Sequence, residues 1–130
     1  MAHPNEDRLR DLYAKFAAGD IEGFLSGCTG DATFTVPGQA AVSGEFTKAT
    51  FVDMIGPVIE RSGGTFQEDV LDVFANDEHG VVLLLHRFER EGLLREYRTA
   101  HVVDLKNGAI ASWMEHPGSV REFEDAWGVQ

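Results

Sequence analysis

The second half of the chain constrains the fold most, because after Gly64 it contains four strand-like segments joined by very short connections. The pattern predicts strands over residues 65–74, 80–89, 94–105 and 109–116, separated by polar or glycine-containing turns. Asn107 and Gly108 form a strong hairpin signal, since both residue types tolerate positive φ. Parallel neighbours would need crossover connections of a dozen or more residues. The four segments are therefore expected to form an antiparallel meander.

Helical periodicity dominates the first half of the chain and its C-terminal end. Apolar residues recur at helical spacing from Leu9 to Phe16, and Gly19 is suited to ending that helix. Asp20 is expected to cap a short helix over residues 21–26, and a strand over 32–36 should stop at Pro37. Two further helices are expected. One follows Thr47 as its cap and is kinked or shortened at Pro57, and the last begins at Ser119.

Length and charge exclude several classes of protein. The 130 residues fit a single domain over 1–130, and the formal charge of −11 would repel nucleic acid and anionic membrane surfaces. The single cysteine, Cys28, excludes an internal disulfide, and the N-terminal region has no apolar run typical of a signal sequence. We therefore expect a cytoplasmic protein that binds neither nucleic acid nor membranes.

Two segments carry a family resemblance: LYAKFAAGDIEGFLSGCTGDATFTVPG at residues 12–38 and NGAIASWMEHPGSVREFEDAWG at residues 107–128. Together they resemble the nuclear transport factor 2-like superfamily, in its SnoaL-like, limonene epoxide hydrolase-like and ketosteroid isomerase-like branch. The resemblance implies a cone-shaped α+β barrel, in which a curved antiparallel sheet wraps around the N-terminal helices and leaves an internal pocket. It also implies a homodimer through the convex face of the sheet. By strand parity, this face is expected to show Arg87, Tyr97, Thr99, His101, Val103 and Met114.

The catalytic pattern of ketosteroid isomerases matches the chain poorly, and that of limonene epoxide hydrolases matches it only near the C-terminal end. By alignment on Gly19 and Asp20, Leu12 occupies the position of the ketosteroid isomerase tyrosine, and Val36 and Ala100 replace its two aspartates. Trp113-Met114-Glu115, however, aligns with a Trp-Arg-Asp triplet of limonene epoxide hydrolases, whose acid lies in the pocket. The resemblance therefore makes Glu115 the first candidate for an inward carboxylate.

The register of the hairpins decides which side chains join Glu115. A two-residue loop at Asn107-Gly108 would set Ala100 opposite Glu115 and place Arg98 on the same face, with His101 outward. A three-residue loop at Glu91-Gly92 would then set His86 opposite Arg98. A loop of two or four residues pairs His86 with Tyr97 instead, and a β-bulge would also break the constellation. The sequence leaves these registers open.

The predicted site comprises three polar groups and an apolar wall. Glu115, Arg98 and His86 are the expected catalytic residues, and burial of Glu115 is expected to raise its pKa, against the opposing effect of Arg98. The expected ligand-pocket residues are Tyr13, Phe16, Phe34, Val36, Phe51, Phe88, Val102 and Trp113. No metal site is expected, because no two histidines share i, i+2 or i, i+4 spacing.

The leading functional hypothesis is a cofactor-independent acid–base enzyme of isomerase, cyclase, dehydratase or hydrolase type, acting on a small and largely apolar substrate. Two alternatives remain open: a non-catalytic binding protein for such a ligand, and a protein-interaction domain of the same fold. A closed pocket is expected of the last alternative.

Overall fold

A computed structural model describes residues 3–129, which form four helices and six strands. The elements are α1 (Pro4–Ala17), α2 (Ile21–Ser26), β1 (Cys28–Val36), β2 (Gly44–Thr47), α3 (Phe51–Ser62), β3 (Gln67–Ala75), β4 (His79–Arg90), β5 (Leu93–Lys106), β6 (Ala109–Pro117) and α4 (Val120–Trp127). The strands form one sheet in the order β2-β1-β6-β5-β4-β3. The antiparallel meander of β3 to β6 confirms the prediction, and β1 joins it by pairing in parallel with β6. The fold class is α+β, as expected.

Local signals account for most helix ends. The His3 side chain accepts a hydrogen bond from the amide of Asn5 and caps α1, and Asp20 caps α2 through the amide of Gly23. The expected cap at Thr47 is wrong. That residue ends β2, which pairs with β1, so α3 starts later with Thr50 as its N-cap and continues through Pro57.

Both long hairpins use two-residue turns. The central residues of the first turn, Glu91 and Gly92, have φ angles of 56° and 74°, and Asn107 and Gly108 in the second have 52° and 82°. Positive φ at both central positions is the conformation that matches the twist of the flanking strands. The first turn is therefore the shorter of the alternatives, and it places His86 opposite Tyr97 rather than Arg98.

A β-bulge changes the register of the last hairpin. Leu105 pairs with Ile110, but Asp104 pairs with Ser112, so Ala111 is an extra residue on β6. One extra residue reverses the parity of every pair beyond it, because successive side chains point to opposite faces. Glu115 therefore lies opposite His101 instead of Ala100.

The bulge at Ala111 also changes which side chains of β5 lie on the convex face of the sheet. Tyr97, Thr99, His101 and Val103 are buried on the concave face. Val102 and Met114 lie outward and are 36% and 42% exposed. None of the helices within residues 3–129 is long and apolar enough to cross a membrane.

Candidate functional site

A cavity opens between the concave face of the sheet and the helices α1, α3 and α4. About 50 Å³ of it is open to the centre of a water molecule, and one water needs roughly 10–15 Å³ of such space. The wall is formed mainly by aromatic and aliphatic side chains from all four helices, from strands β1 and β6 and from two loops: Tyr13, Phe16, Phe24, Val36, Val42, Phe51, Met54, Ile55, Val58, Phe66, Trp113 and Trp127. Glu68, His86, Tyr97, His101 and Glu115 add a polar end to this apolar space.

Four neighbouring strands assemble the polar end. Glu68 on β3 pairs directly with His86 on β4, and His86 pairs with Tyr97 on β5. Further along β5, His101 pairs with Glu115 on β6. Thr99 lies two residues before His101 on the same strand. Cross-strand neighbours lie within contact distance on one face of a sheet. The cluster therefore follows from register alone, although its members are far apart in sequence.

The first histidine is held on both sides. His86 Nε2 lies 2.7 Å from Glu68 Oε2, and His86 Nδ1 lies 2.9 Å from the Tyr97 hydroxyl. The Tyr97 hydroxyl in turn accepts a hydrogen bond of 2.7 Å from the indole nitrogen of Trp127. This chain of contacts ties the C-terminal helix α4 to the ring orientation of His86.

His101, the second histidine, is also held by a tyrosine hydroxyl at Nδ1, but its Nε2 lacks a hydrogen-bond partner in the described part of the chain. His101 Nδ1 lies 2.5 Å from the Tyr13 hydroxyl, which accepts a 3.1 Å hydrogen bond from the indole nitrogen of Trp113. His101 Nε2 is buried and has no hydrogen-bond partner among residues 3–129. Its nearest acidic neighbour is Glu115 Oε1 at 3.7 Å. This nitrogen is therefore available to a bound molecule or ion.

Glu115 lies close to both imidazole rings. Its side chain is only 6% exposed, Oε2 accepts a 2.9 Å hydrogen bond from the Thr99 hydroxyl, and the same oxygen is 3.7 Å from His86 Nδ1. Burial alone would raise the pKa of Glu115, but His101, His86 and Thr99 together hold it below its ordinary value. The expected increase is wrong, because two histidines rather than an apolar wall face the carboxylate.

The same cluster changes the pKa of its other members. Burial disfavours the charged form of His86, yet the hydrogen bond and negative charge of Glu68, with a further contribution from Glu115, leave its pKa raised. Burial, supported by the charges of Glu68 and Glu115, raises the pKa of Tyr13 and Tyr97 well above the usual value for tyrosine. Both phenols therefore keep their protons at neutral pH.

The structure brings two of the three predicted catalytic residues together. Glu115 and His86 are buried at the polar end, with 5% and 3% of their surface exposed. Arg98 is not part of the site, because its pairing with Leu85 puts it on the exposed convex face. His101, which was expected to face outward, occupies the place beside Glu115.

Some of the predicted ligand-pocket residues line the cavity and others do not. The cavity is lined by five of the eight predicted residues, namely Tyr13, Phe16, Val36, Phe51 and Trp113. Phe34 and Phe88 are buried in the core instead, with Phe34 packed against Phe51 and Phe88 stacked on Trp127 at a centroid distance of 3.9 Å. Val102 lies on the convex face, because the bulge at Ala111 reverses its parity relative to Trp113.

Sequence reasoning missed Glu68, Tyr97, Thr99 and His101. The two-residue turn that places Tyr97 beside His86 was one of the alternatives left open, and the frequency of such turns in hairpins favours it. Nothing in the local sequence marks the bulge that turns His101 inward. Glu68 is visible only once β3 is paired with β4.

Comparisons with known proteins agree with this architecture. A family model described as a SnoaL-like domain matches residues 9–113. An uncharacterized protein of Mycobacterium tuberculosis is 27% identical over 123 residues, which cover 93% of this chain and 94% of the relative.

Solved structures show the same fold over nearly the whole chain. Bal32a, from a soil-derived mobile gene cassette, has a TM-score of 0.84 at 25% identity, covering 95% of each chain. TerC, co-crystallized with polyporic acid, has a TM-score of 0.83 at 20% identity, covering 95% of this chain and 98% of its own. A nuclear transport factor 2-like protein of Burkholderia pseudomallei has a TM-score of 0.81 at 20% identity, covering 96% and 98%. The chain therefore belongs to the SnoaL-like family, within the nuclear transport factor 2-like superfamily.

Proposed function

We propose that the protein is an acid–base enzyme that moves a proton on a small, largely apolar substrate bound in the cavity. The observation that carries the proposal is the buried carboxylate of Glu115, which stays ionised inside an aromatic cavity and lies 3.7 Å from a nitrogen of each of two histidines. A carboxylate in this state can accept a proton without first losing one. Against the effect of burial, the negative charges of Glu68 and Glu115 raise the pKa of His86, so this imidazole can hold a proton close to the carboxylate.

The geometry suggests separate roles for the polar groups. Glu115 removes a proton from a carbon next to a carbonyl group, and the electron pair of that C–H bond moves onto the carbonyl oxygen. His101, whose Nε2 has no partner among residues 3–129, donates a hydrogen bond to this oxygen as its negative charge develops. Return of the proton to another substrate atom completes an isomerisation, and related steps lead to aldol cyclisation or dehydration.

The cavity wall supports the proposed substrate class. Aromatic side chains such as Phe16, Phe51 and Phe66 offer flat apolar surfaces, and the polar groups are confined to one end. A ligand with an apolar ring system and one polar oxygen matches this division. The free volume of about 50 Å³ is below the roughly 150 Å³ of a cavity that holds benzene, so a ligand with a ring must be small and must displace side chains of the wall.

Proton abstraction is testable without knowledge of the natural substrate. We would incubate the protein in D2O with small ketones that carry a fused aromatic ring, such as 2-indanone, and follow deuterium incorporation next to the carbonyl by NMR. Glu115→Gln should slow the protein-dependent exchange by at least about 100-fold, the lower range of acid–base contributions. His116→Gln, an exposed neighbour on the same strand, is the matched control and should exchange like the wild type.

The alternatives predict different results. A binding protein would bind such ketones without accelerating exchange, and Glu115→Gln would then alter affinity alone. A protein-interaction domain would neither bind nor accelerate. Exchange by wild type that persists in Glu115→Gln would refute the proposed role of Glu115.

A further inference from the structure

Three strands bring a set of metal-ligating side chains together at the polar end of the cavity. One donor atom from each of Glu68, His86 and His101 lies within 4.8 Å of the other two. Two imidazoles and a carboxylate are a donor set used by zinc and by non-haem iron sites in proteins. We infer that this cluster binds one divalent transition-metal cation through Glu68, His86 and His101.

The free nitrogen of His101 is the strongest indication. Buried polar atoms are nearly always paired, yet Nε2 of His101 is buried without a hydrogen-bond partner among residues 3–129. It faces the oxygen Oε1 of Glu115, at a distance of 3.7 Å that is too long for a hydrogen bond. A cation held by Glu68, His86 and His101 would give this nitrogen a partner.

The surroundings of both histidines match the outer shell of a metal site. Metal-bound histidines usually donate the proton of their other nitrogen to an oxygen, which fixes the ring and its tautomer. Here the Tyr97 hydroxyl lies beside His86 Nδ1 and the Tyr13 hydroxyl beside His101 Nδ1. Each phenol is itself anchored by an indole N–H, from Trp127 and Trp113 respectively.

Charge balance points the same way. The side chains of Glu68 and Glu115 are 11% and 6% exposed, and Arg98 is on the opposite face of the sheet. A histidine that binds a metal must be neutral, so in the metal-bound site the two carboxylates would carry two negative charges, which match a divalent cation. Buried charges are costly unless they are paired or coordinate a metal.

Only a small adjustment is needed for coordination. Bond lengths of about 2.0–2.2 Å to nitrogen and oxygen imply donor separations of roughly 3.4 Å in a tetrahedral site. Glu68 and His86, whose donor atoms are 2.7 Å apart, would separate by about 0.7 Å, and the His101 donor, within 4.8 Å of both, would approach by at most about 1.4 Å. The absence of a histidine spacing motif does not count against the site, because its ligands come from separate strands.

The inferred site uses side chains of the proposed acid–base centre, and binding of a cation would withdraw them from proton transfer. Its test needs no substrate. The full chain, stripped with EDTA and dialysed, is titrated with Zn²⁺ by calorimetry and with Co²⁺ by visible absorption. We expect one ion per chain and a visible absorption spectrum typical of Co²⁺ bound by nitrogen and oxygen ligands.

Variants locate the binding. Tyr97→Phe removes an outer-shell partner and should weaken Zn²⁺ affinity by about 10–100-fold. His101→Gln and Glu68→Gln each remove a ligand and should weaken the affinity by more than that. His79→Gln and His116→Gln alter exposed histidines and should bind like the wild type. Circular dichroism shows which variants remain folded, and Glu68→Gln, which preserves the side-chain volume, serves if His101→Gln unfolds.

Two results would overturn the inference: no stoichiometric Zn²⁺ binding by the wild type, or binding that survives Glu68→Gln and is lost with His79→Gln or His116→Gln. Ketone exchange measured in EDTA reports the proposed acid–base function separately, so either proposal can fail alone.

Discussion

Replacing Tyr97 by phenylalanine removes one oxygen atom from the centre of the site and should cost more than its size suggests. The hydroxyl is the hydrogen-bond partner of both Trp127 Nε1 and His86 Nδ1. Leaving a buried polar group without its partner costs about 1–3 kcal/mol, so two such groups set a range of about 2–6 kcal/mol. Because Tyr97 lines the cavity, water can replace one partner. We therefore expect the lower end, about 2 kcal/mol.

Urea unfolding monitored by circular dichroism measures this change, and thermal unfolding should show a decrease of roughly 3–5 °C per kcal/mol for a domain of this length. Ser26→Ala is the control, since it removes a hydroxyl whose bond to the Gly23 carbonyl is exposed, and it should change stability by less than about 0.5 kcal/mol. A Tyr97→Phe variant as stable as Ser26→Ala would refute the reasoning, because the Trp127–Tyr97–His86 chain would then contribute nothing to the fold.

Two further predictions concern the thiol and the convex face. Burial raises the pKa of Cys28 to about 11, so only about one thiol in a thousand is ionised at pH 8. Its reaction with Ellman's reagent should be at least about 100-fold slower than in urea-unfolded protein, and equal rates would contradict the described burial. On the convex face, Phe74, Val81, Val102 and Met114 lie in one row across β3 to β6, and we propose that a second copy of the chain covers this row. Sedimentation should show a dimer that Met114→Glu disrupts and Leu93→Glu, at an exposed hairpin position, does not, whereas a monomeric wild type would contradict the dimer.

The helices and turns were predictable because their signals are local. Asp20 caps α2 through its own side chain, and Asn107-Gly108 forms a tight turn because of its backbone preferences. Family resemblance then selected Glu115 as an inward acid, and its side chain is buried at the polar end of the cavity. The short strand β2 was missed, since a four-residue edge strand has too few positions to show a pattern.

The residues that form the site were harder to predict, because they depend on which face of the sheet each strand residue points to. His86 and Glu115 were recognised, but the expected partner, Arg98, lies outside and His101 lies inside. A single extra residue, Ala111, causes this exchange. Since strand side chains alternate, an error of one residue in register moves every side chain beyond it to the opposite face.

The sequence by itself determined the α+β class and the antiparallel meander, and its family resemblance indicated a buried acid near the end of the last strand. The class and the meander follow from periodicity and turn chemistry, which act between residues close along the chain. Only the tertiary structure decided that Glu68, His86, His101 and Glu115 converge, and that two tyrosines hold the two rings. Those contacts join residues on different strands, and the pairing between strands is set by the packing of the whole sheet and by a bulge that no local pattern marks.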